Sequence, residues 1–376
     1  MSIKSTSVAE PLKNLQEDYQ ALVNAGFSCS IAAFINDRRY PLKQYCKPFS
    51  PHPRSEEIIS VARLFCKEHG IWLDNAQHYI TCQLFLYPSA SFERILVMTK
   101  NNAIDYYLND TMGRDLFKNL SASERESAAQ IIKRMASLDT SLTLQPESEL
   151  IEEANVKMLR EIQKNSSEGW FSKFLEMYNY HIEITHRNCN SSALGFQPTV
   201  AEYIDMRYHT SGMPHIVLLL EYAENNFLDW EWMETNGIAS SLERVHWLIA
   251  AFGCLSNDIF SFEKEVIDEN TDANLLAVIA INEPSWQLRE VIFHATTIVR
   301  RILTEYFEKI QFLRVQISNL ESINIEKARG LMQHLESIER CVQASWMWQV
   351  YTKRYKRSNS IWDETQLFDT TISKAV

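Results

Sequence analysis

The chain has 376 residues, 45% of them apolar, and a net charge of −11 from 37 basic and 48 acidic side chains. That is ample apolar material for a large core, and an acidic chain without a basic stripe argues against nucleic acid as a partner. Only 9 glycines are present, and neither GxGxxG nor GxxxxGK[ST] occurs, which excludes the glycine-rich loops of common nucleotide sites.

In chain order, "MSIKSTSVAE" lacks the apolar stretch of a signal peptide. The longest uncharged apolar runs, such as "WLIAAFGCL", are too short to span a membrane. The cysteines (Cys29, Cys46, Cys66, Cys82, Cys189, Cys254 and Cys341) are scattered singly with no CxxC. These features predict reduced thiols and a cytoplasmic location.

Residues 1–54 read as a partly irregular N-terminal segment ending in "KPFSPHPRSEE", whose prolines forbid a continuous helix. Ser55, followed by Glu56 and Glu57, is a helix start with acids in its first turn. From there, over 55–376, the pattern is helix after helix. Pro88, Pro146, Pro198, Pro214 and Pro284 fall near helix starts. The stretch 286–320 shows the helical period clearly, with Leu288, Val291, Ile292, Ala295, Ile298, Val299, Ile302 and Leu303 on one face. The segments 119–126 and 186–198 read as a turn and a linker, with helices of the same character on both sides. The expectation is an all-α, single-domain helical bundle with a central apolar cavity.

The histidines are read as core or surface residues. His181 and His186, and His209 and His215, lack the HExxH spacing of a zinc site, and no zinc is expected.

The chemistry concentrates in "NDIFSFEKE", residues 257–265, at the end of an apolar helix. Asn257, Ser261 and Glu265 are spaced i, i+4, i+8. At about 100° per residue they drift only about 40° per step and point the same way. An amide oxygen, a hydroxyl and a carboxylate are hard ligands suited to Mg²⁺. Lys264 stands beside them, about 100° round the helix, within reach of an anion that the metal holds.

This stretch resembles the ND(L/I/V)xSxxKE metal-binding motif of microbial, bacterial-type class I terpene synthases. Asn257, Ser261 and Glu265 match its three ligands, and Lys264 matches its diphosphate-binding lysine. Other segments resemble the family in order and spacing. "PHPRSEEIISVARLFCKEHGI" is similar to its early helix. "YPSASFERI" resembles the segment before the first acidic motif. "PTVAEYIDMRYHTSGM" resembles the helix carrying the diphosphate-sensing arginine, here Arg207, with the break that follows at Thr210, Ser211 and Gly212. "WMWQVYTKRYKR" resembles the terminal helix with its Arg-Tyr pair, here Arg354 and Tyr355. The similarity runs from about residue 50 to 357.

The family's first metal motif is DDxxD or DDxxxD. Here "DYYLNDTMGRD" departs from it. One register places the motif at Asn109-Asp110, so that its leading acid is an amide. Another makes Asp105 the first acid and Asp110 the last, and Asp115 is also read as a surface residue paired with Arg114 or Lys118. Asp110 is shared by both registers.

The resemblance implies a class I terpenoid synthase α-domain over 55–376, holding Mg²⁺ or Mn²⁺, typically as a three-ion cluster. It implies ionisation of a linear prenyl diphosphate, farnesyl or geranylgeranyl. The carbocation then cyclises to a sesquiterpene or diterpene and diphosphate is released, a carbon–oxygen lyase reaction. Arg207, Lys264, Arg354 and Tyr355 are the expected diphosphate-binding and catalytic groups. The metal ligands are expected among Asp105, Asn109, Asp110, Asn257, Ser261 and Glu265. The partner is a small prenyl diphosphate, with no nucleic acid and no membrane span, and the chain is a monomer or a homodimer. Two other readings stand beside this one: a degenerate relative that binds prenyl diphosphate with little turnover, and a helical interaction scaffold.

Overall fold

The structure is a computed structural model that describes residues 8–37, 39, 41–46, 50–74, 76–113, 120–185 and 190–367. Arg114, Asp115, Lys118, His186 and Cys189 lie outside the described residues. The helices, numbered in chain order, begin with α1 (Ala9–Asn24), α2 (Ile31–Ile35), α3 (Leu42–Tyr45), α4 (Ser55–Glu68), α5 (Ala76–Leu86) and α6 (Phe92–Met112). They continue with α7 (Ala122–Ala136), α8 (Leu150–Lys164), α9 (Glu168–Thr185), α10 (Ser191–Leu194), α11 (Val200–Thr210) and α12 (Met213–Ala223). The last are α13 (Trp230–Thr235), α14 (Ala239–Phe262), α15 (Leu275–Asn282), α16 (Leu288–Leu320) and α17 (Ile325–Tyr351). Among the described residues no strand forms, only isolated bridges at Cys29–Trp362 and Arg357–Gln366.

Local chemistry explains the boundaries. Ser121 and Glu124 form a reciprocal capping box on α7, as do Thr199 and Glu202 on α11. Pro214 occupies the first turn of α12, where its missing N–H is not needed. In the long α16 the residues Leu288, Val291, Ala295, Val299 and Leu303 are each fully buried, and Ile298 of the same stripe is partly buried.

The centre of the bundle is α14. Leu248, Phe252, Leu255 and Ile259 leave at most 1% of their surface exposed, and α16, α17, α12, α11 and α15 pack around it. By the length of its uncharged apolar runs the sequence offers no membrane span. By length and composition, however, the helical run Ala239–Asp268 passes that test. Its burial among neighbouring helices explains the composition, since a helix apolar on every side is what a bundle core requires.

The C-terminal end departs from the expectation of helix after helix. After α17 the chain turns through a short 3₁₀ segment at Lys353–Tyr355 and becomes a strap. The strap runs back to the N-terminal segment: Cys29 N–H donates to Ile361 O at 2.9 Å and Asp363 N–H to Cys29 O at 3.0 Å. Thr352, Ser360 and Thr365 offer side-chain hydrogen bonds that compete with helix. Arg354 and Tyr355 therefore sit in the 3₁₀ turn that follows the terminal helix, and not within that helix.

One packing contact carries a stability prediction. His246 of α14 and His334 of α17 meet at 2.8 Å between their Nε2 atoms. Burial pushes His334 down to about 4, and burial first, then His334, pushes His246 well below its usual value. A proton is therefore bound by the unfolded chain and not by the native pair between the unfolded value near 6.5 and about 4. The contribution is fully present above about pH 6.5 and is lost progressively as pH falls towards 4. Over that window it reaches about 3 kcal/mol for His334. Chemical denaturation between pH 7 and pH 4.5 should show the loss, and it should shrink in His334→Phe.

Candidate active site

A cavity of about 180 Å³ opens between α5, α6, α11, α12, α14 and α17. Its wall is mixed, not purely apolar. Leu86, Met213, Ile216 and Trp348 supply apolar surface, and a set of polar and charged side chains supplies the rest. Of the residues expected from sequence, Asp105, Asn109, Arg207, Asn257, Glu265, Arg354 and Tyr355 all face this space. Ser261, Lys264 and Asp110 stand outside the lining.

The Asn257–Glu265 stretch is not one regular helix. α14 ends at Phe262, and Glu263–Asp268 continue as a π-helix. Asn257 and Ser261 keep the α-helical relation, while Glu265 is carried on the wider turn, a distortion common at functional sites. Asn274 fixes the result. Its amide donates to Asp258 O at 2.9 Å and to the Glu265 carboxylate at 3.0 Å, while its own oxygen caps the start of α15. The Ser261 Oγ is fully buried and makes no hydrogen bond. A buried hydroxyl left unpaired is costly, so a ligand for it is the natural expectation. Lys264 pairs with Glu269 at 3.2 Å on the outer side.

Glu263, a second acid near the end of the stretch, points the other way. It is 2% exposed and accepts hydrogen bonds from Tyr19 Oη (2.9 Å), Ser360 Oγ (2.6 Å) and Ile361 N (2.8 Å). Burial raises its carboxyl while those donors pull it back.

Arg207 comes from α11 and reaches across to α14. Its Nε donates to Asp258 at 2.7 Å and its Nη2 to the Asn257 side-chain oxygen at 3.2 Å. Asp258 is wholly buried and also accepts from Tyr203 Oη at 2.6 Å and Leu275 N at 3.0 Å. Burial alone would depress the guanidinium, but the Asp258 carboxylate outweighs it and holds Arg207 charged, well above its ordinary value. Burial also pushes Asp258 up, against the pull of Arg207. The Asn257 amide in turn donates to Tyr355 Oη at 2.7 Å. Arg207, Asn257 and Tyr355 thus form one chain of contacts on the cavity wall.

The opposite wall is α6. Asn109 donates to Asp110 at 2.9 Å, and Asp110 lies 3.9 Å from Arg354. The Arg354 guanidinium also sits over the Tyr106 ring, 5.7 Å from its centroid. Asp105, one turn before Asn109, instead faces His215 (3.4 Å) and His181 (3.9 Å). The helix ends at Met112, before the position of Asp115.

The break between α11 and α12 falls at Ser211-Gly212, as the sequence pattern predicts. Gly212 has φ +73°, and a Cβ there would meet His181 Cε1 at 2.9 Å. Both the left-handed backbone and the close ring demand glycine. Gly212→Ala should lower stability by about 1–2 kcal/mol from backbone strain alone, and more if the ring cannot move. Thermal melting checks it.

Sequence reasoning missed Asp258, Asn274, His181 and His215. An acid near the end of the long apolar segment "WLIAAFGCLSNDIF" is a usable signal, because such a residue must find a partner. The histidines had no usable signal. Spacing along the chain does not reveal the pair that meets, His181 with His215, which comes from α9 and α12.

Residues 111–305 match the family model for terpene synthase family 2, C-terminal metal binding. 10-epi-cubebol synthase of Sorangium cellulosum is 22% identical over 83% of this chain and 96% of its own length. Sesquiterpene synthase 1 of Postia placenta is 26% identical over 51% of the chain and 53% of its own length. Among solved structures, linalool/nerolidol synthase from Streptomyces clavuligerus superposes with a TM-score of 0.68 at 12% identity, covering 81% of this chain and 97% of that one. An α-eudesmol synthase gives 0.67 at 17% identity, covering 80% and 96%. The helical architecture is that of a class I terpene synthase. The chain belongs to the terpene synthase family, and its matched region is the family's metal-binding portion.

Proposed function

We propose that the protein is a Mg²⁺-dependent terpene cyclase that ionises a linear prenyl diphosphate and cyclises the resulting cation. The observation that carries the reading is the joined set Arg207–Asn257–Tyr355, which shares one cavity with Glu265 and Arg354. The names of its relatives, a cubebol synthase and two sesquiterpene synthases, favour farnesyl diphosphate over its C20 homologue.

The donor set fits a hard divalent ion: an amide oxygen, an orphaned hydroxyl and a carboxylate, at Asn257, Ser261 and Glu265. Asp110 and Asn109 are the proposed contributors from α6. When bound, Mg²⁺ supplies Lewis-acid stabilisation of the departing diphosphate. Arg207 and Arg354 bring two positive charges to the same leaving group, Tyr355 brings a hydroxyl, and Lys264 a further cation once it leaves Glu269. Because Asn257 Oδ1 is held by Arg207, arrival of a diphosphate that draws the guanidinium away frees that oxygen.

The carbon–oxygen bond breaks heterolytically, and its electron pair leaves with the diphosphate. The allylic cation stays in the cavity, where Met213, Ile216 and Trp348 shape the chain. A double bond attacks the cation and closes the ring, and a proton is lost to diphosphate or solvent. Exclusion of water by the apolar part of the wall, Leu86, Met213, Ile216 and Trp348, limits early quenching.

The departure at Asn109 favours a second reading, a relative that binds the diphosphate with little turnover, because the amide removes one negative charge from the proposed metal set. Incubation with Mg²⁺ and C10, C15, C20 and C25 diphosphates, followed by hydrocarbon extraction, separates the two. A cyclic C15 product supports the cyclase. Mg²⁺-dependent diphosphate binding without product supports the binder, and absence of both overturns each.

A further inference from the structure

Three ligand atoms outside the Asn/Ser/Glu motif converge where α6, α9 and α12 meet. They belong to Asp105, His181 and His215 and lie within 4.8 Å of one another. His215 Nε2 is 3.4 Å and His181 Nε2 3.9 Å from the same Asp105 oxygen. Ligands of a tetrahedral ion with bonds of about 2.0–2.2 Å stand about 3.3–3.6 Å apart. One separation already fits, and small ring rotations close the others.

A second observation points the same way. His215 is 1% exposed, and neither of its ring nitrogens makes a hydrogen bond. A buried imidazole normally satisfies at least one nitrogen. Its neighbours are aromatic: Tyr178 stands edge-on at 5.3 Å and Phe174 at 6.3 Å. No donor from those rings answers Nε2, which is turned to Asp105. Gly212 passes directly over both imidazoles, with no room for a Cβ, so the backbone holds the two rings together.

We propose that Asp105, His181 and His215 form a second metal site, selective for a borderline ion such as Zn²⁺. Two imidazoles and one carboxylate suit Zn²⁺ and its late first-row neighbours, whereas Mg²⁺ prefers oxygen alone. Asp105 and His181 line the cavity, so the fourth coordination position opens towards it. This site removes Asp105 from the Mg²⁺ set and leaves Asn109 and Asp110 to serve there. Its existence does not depend on which diphosphate the protein uses, or on whether it turns one over.

The test uses metal-stripped full-length protein in excess Mg²⁺, titrated with Zn²⁺ against a chromophoric zinc chelator. One Zn²⁺ per chain is expected. His215→Gln, His181→Gln and Asp105→Asn should each weaken it by about tenfold or more, while Glu265→Gln leaves it unchanged. Release of all zinc to the chelator by the intact protein overturns the site. So does undiminished binding in all three variants, or loss of binding in Glu265→Gln. Should the variants misfold by circular dichroism, Co²⁺ loading of the intact protein decides. The intense visible bands of four-coordinate cobalt support the site, and their absence overturns it.

Discussion

Asp258→Asn should destabilise the protein by about 3–5 kcal/mol, because it leaves the Arg207 guanidinium as a buried charge without its counter-ion. The pair is shielded on both sides: Asp258 is fully buried and Arg207 is 8% exposed. The carboxylate also takes the Tyr203 hydroxyl and the first N–H of α15. An asparagine oxygen can keep one of those contacts but cannot neutralise the arginine. Urea unfolding followed by circular dichroism measures the loss. The double variant Asp258→Asn/Arg207→Met should recover much of it, since removing both charges removes the unpaired one. A loss below about 1 kcal/mol in the single variant would mean that water or another acid reaches Arg207.

Glu265→Gln is expected to lower kcat by about a hundredfold or more while leaving the melting temperature nearly unchanged. The carboxylate is the single full negative charge among the three motif donors, and removing one electrostatic contributor from a preorganised site costs about that much. Its contact with Asn274 is a side-chain hydrogen bond that a glutamine oxygen still accepts. Stability and activity should therefore separate. The apparent affinity for Mg²⁺, read from the metal dependence of product formation, should fall with kcat. Wild-type turnover at saturating Mg²⁺ would remove Glu265 from the site.

Much of this architecture is legible in the residues themselves. The stripe Leu288 to Leu303 and the prolines at helix starts follow from helical geometry, which is local. So is the break at Ser211-Gly212, where a glycine closes one helix and opens the next. The spacing of Asn257 and Ser261 is equally local. What the sequence hides is whatever depends on another element. The π-turn that carries Glu265 faces Glu263 towards Tyr19 and Ser360, residues more than ninety positions away. The meeting of His181 with His215 requires two helices to pack around Gly212. The fate of the terminal Arg-Tyr pair depends on the strap, whose hydrogen bonds run to Cys29.

The Glu263 contacts have a practical outcome for anyone handling this molecule. The first helix and the C-terminal strap are both fastened beneath the turn that bears Glu265, through Tyr19, Ser360 and Ile361, so trimming past either anchor acts at the heart of the protein. A deletion of residues 8–24 removes the Tyr19 phenol, and one beyond 352 removes Ser360 and Ile361. Either leaves a dehydrated anion with fewer donors and lets the wide coil relax to ordinary pitch. Versions shortened past either anchor should be catalytically dull, and less stable as well, because Leu12 and Leu15 or Ile361 and Trp362 leave the core with them.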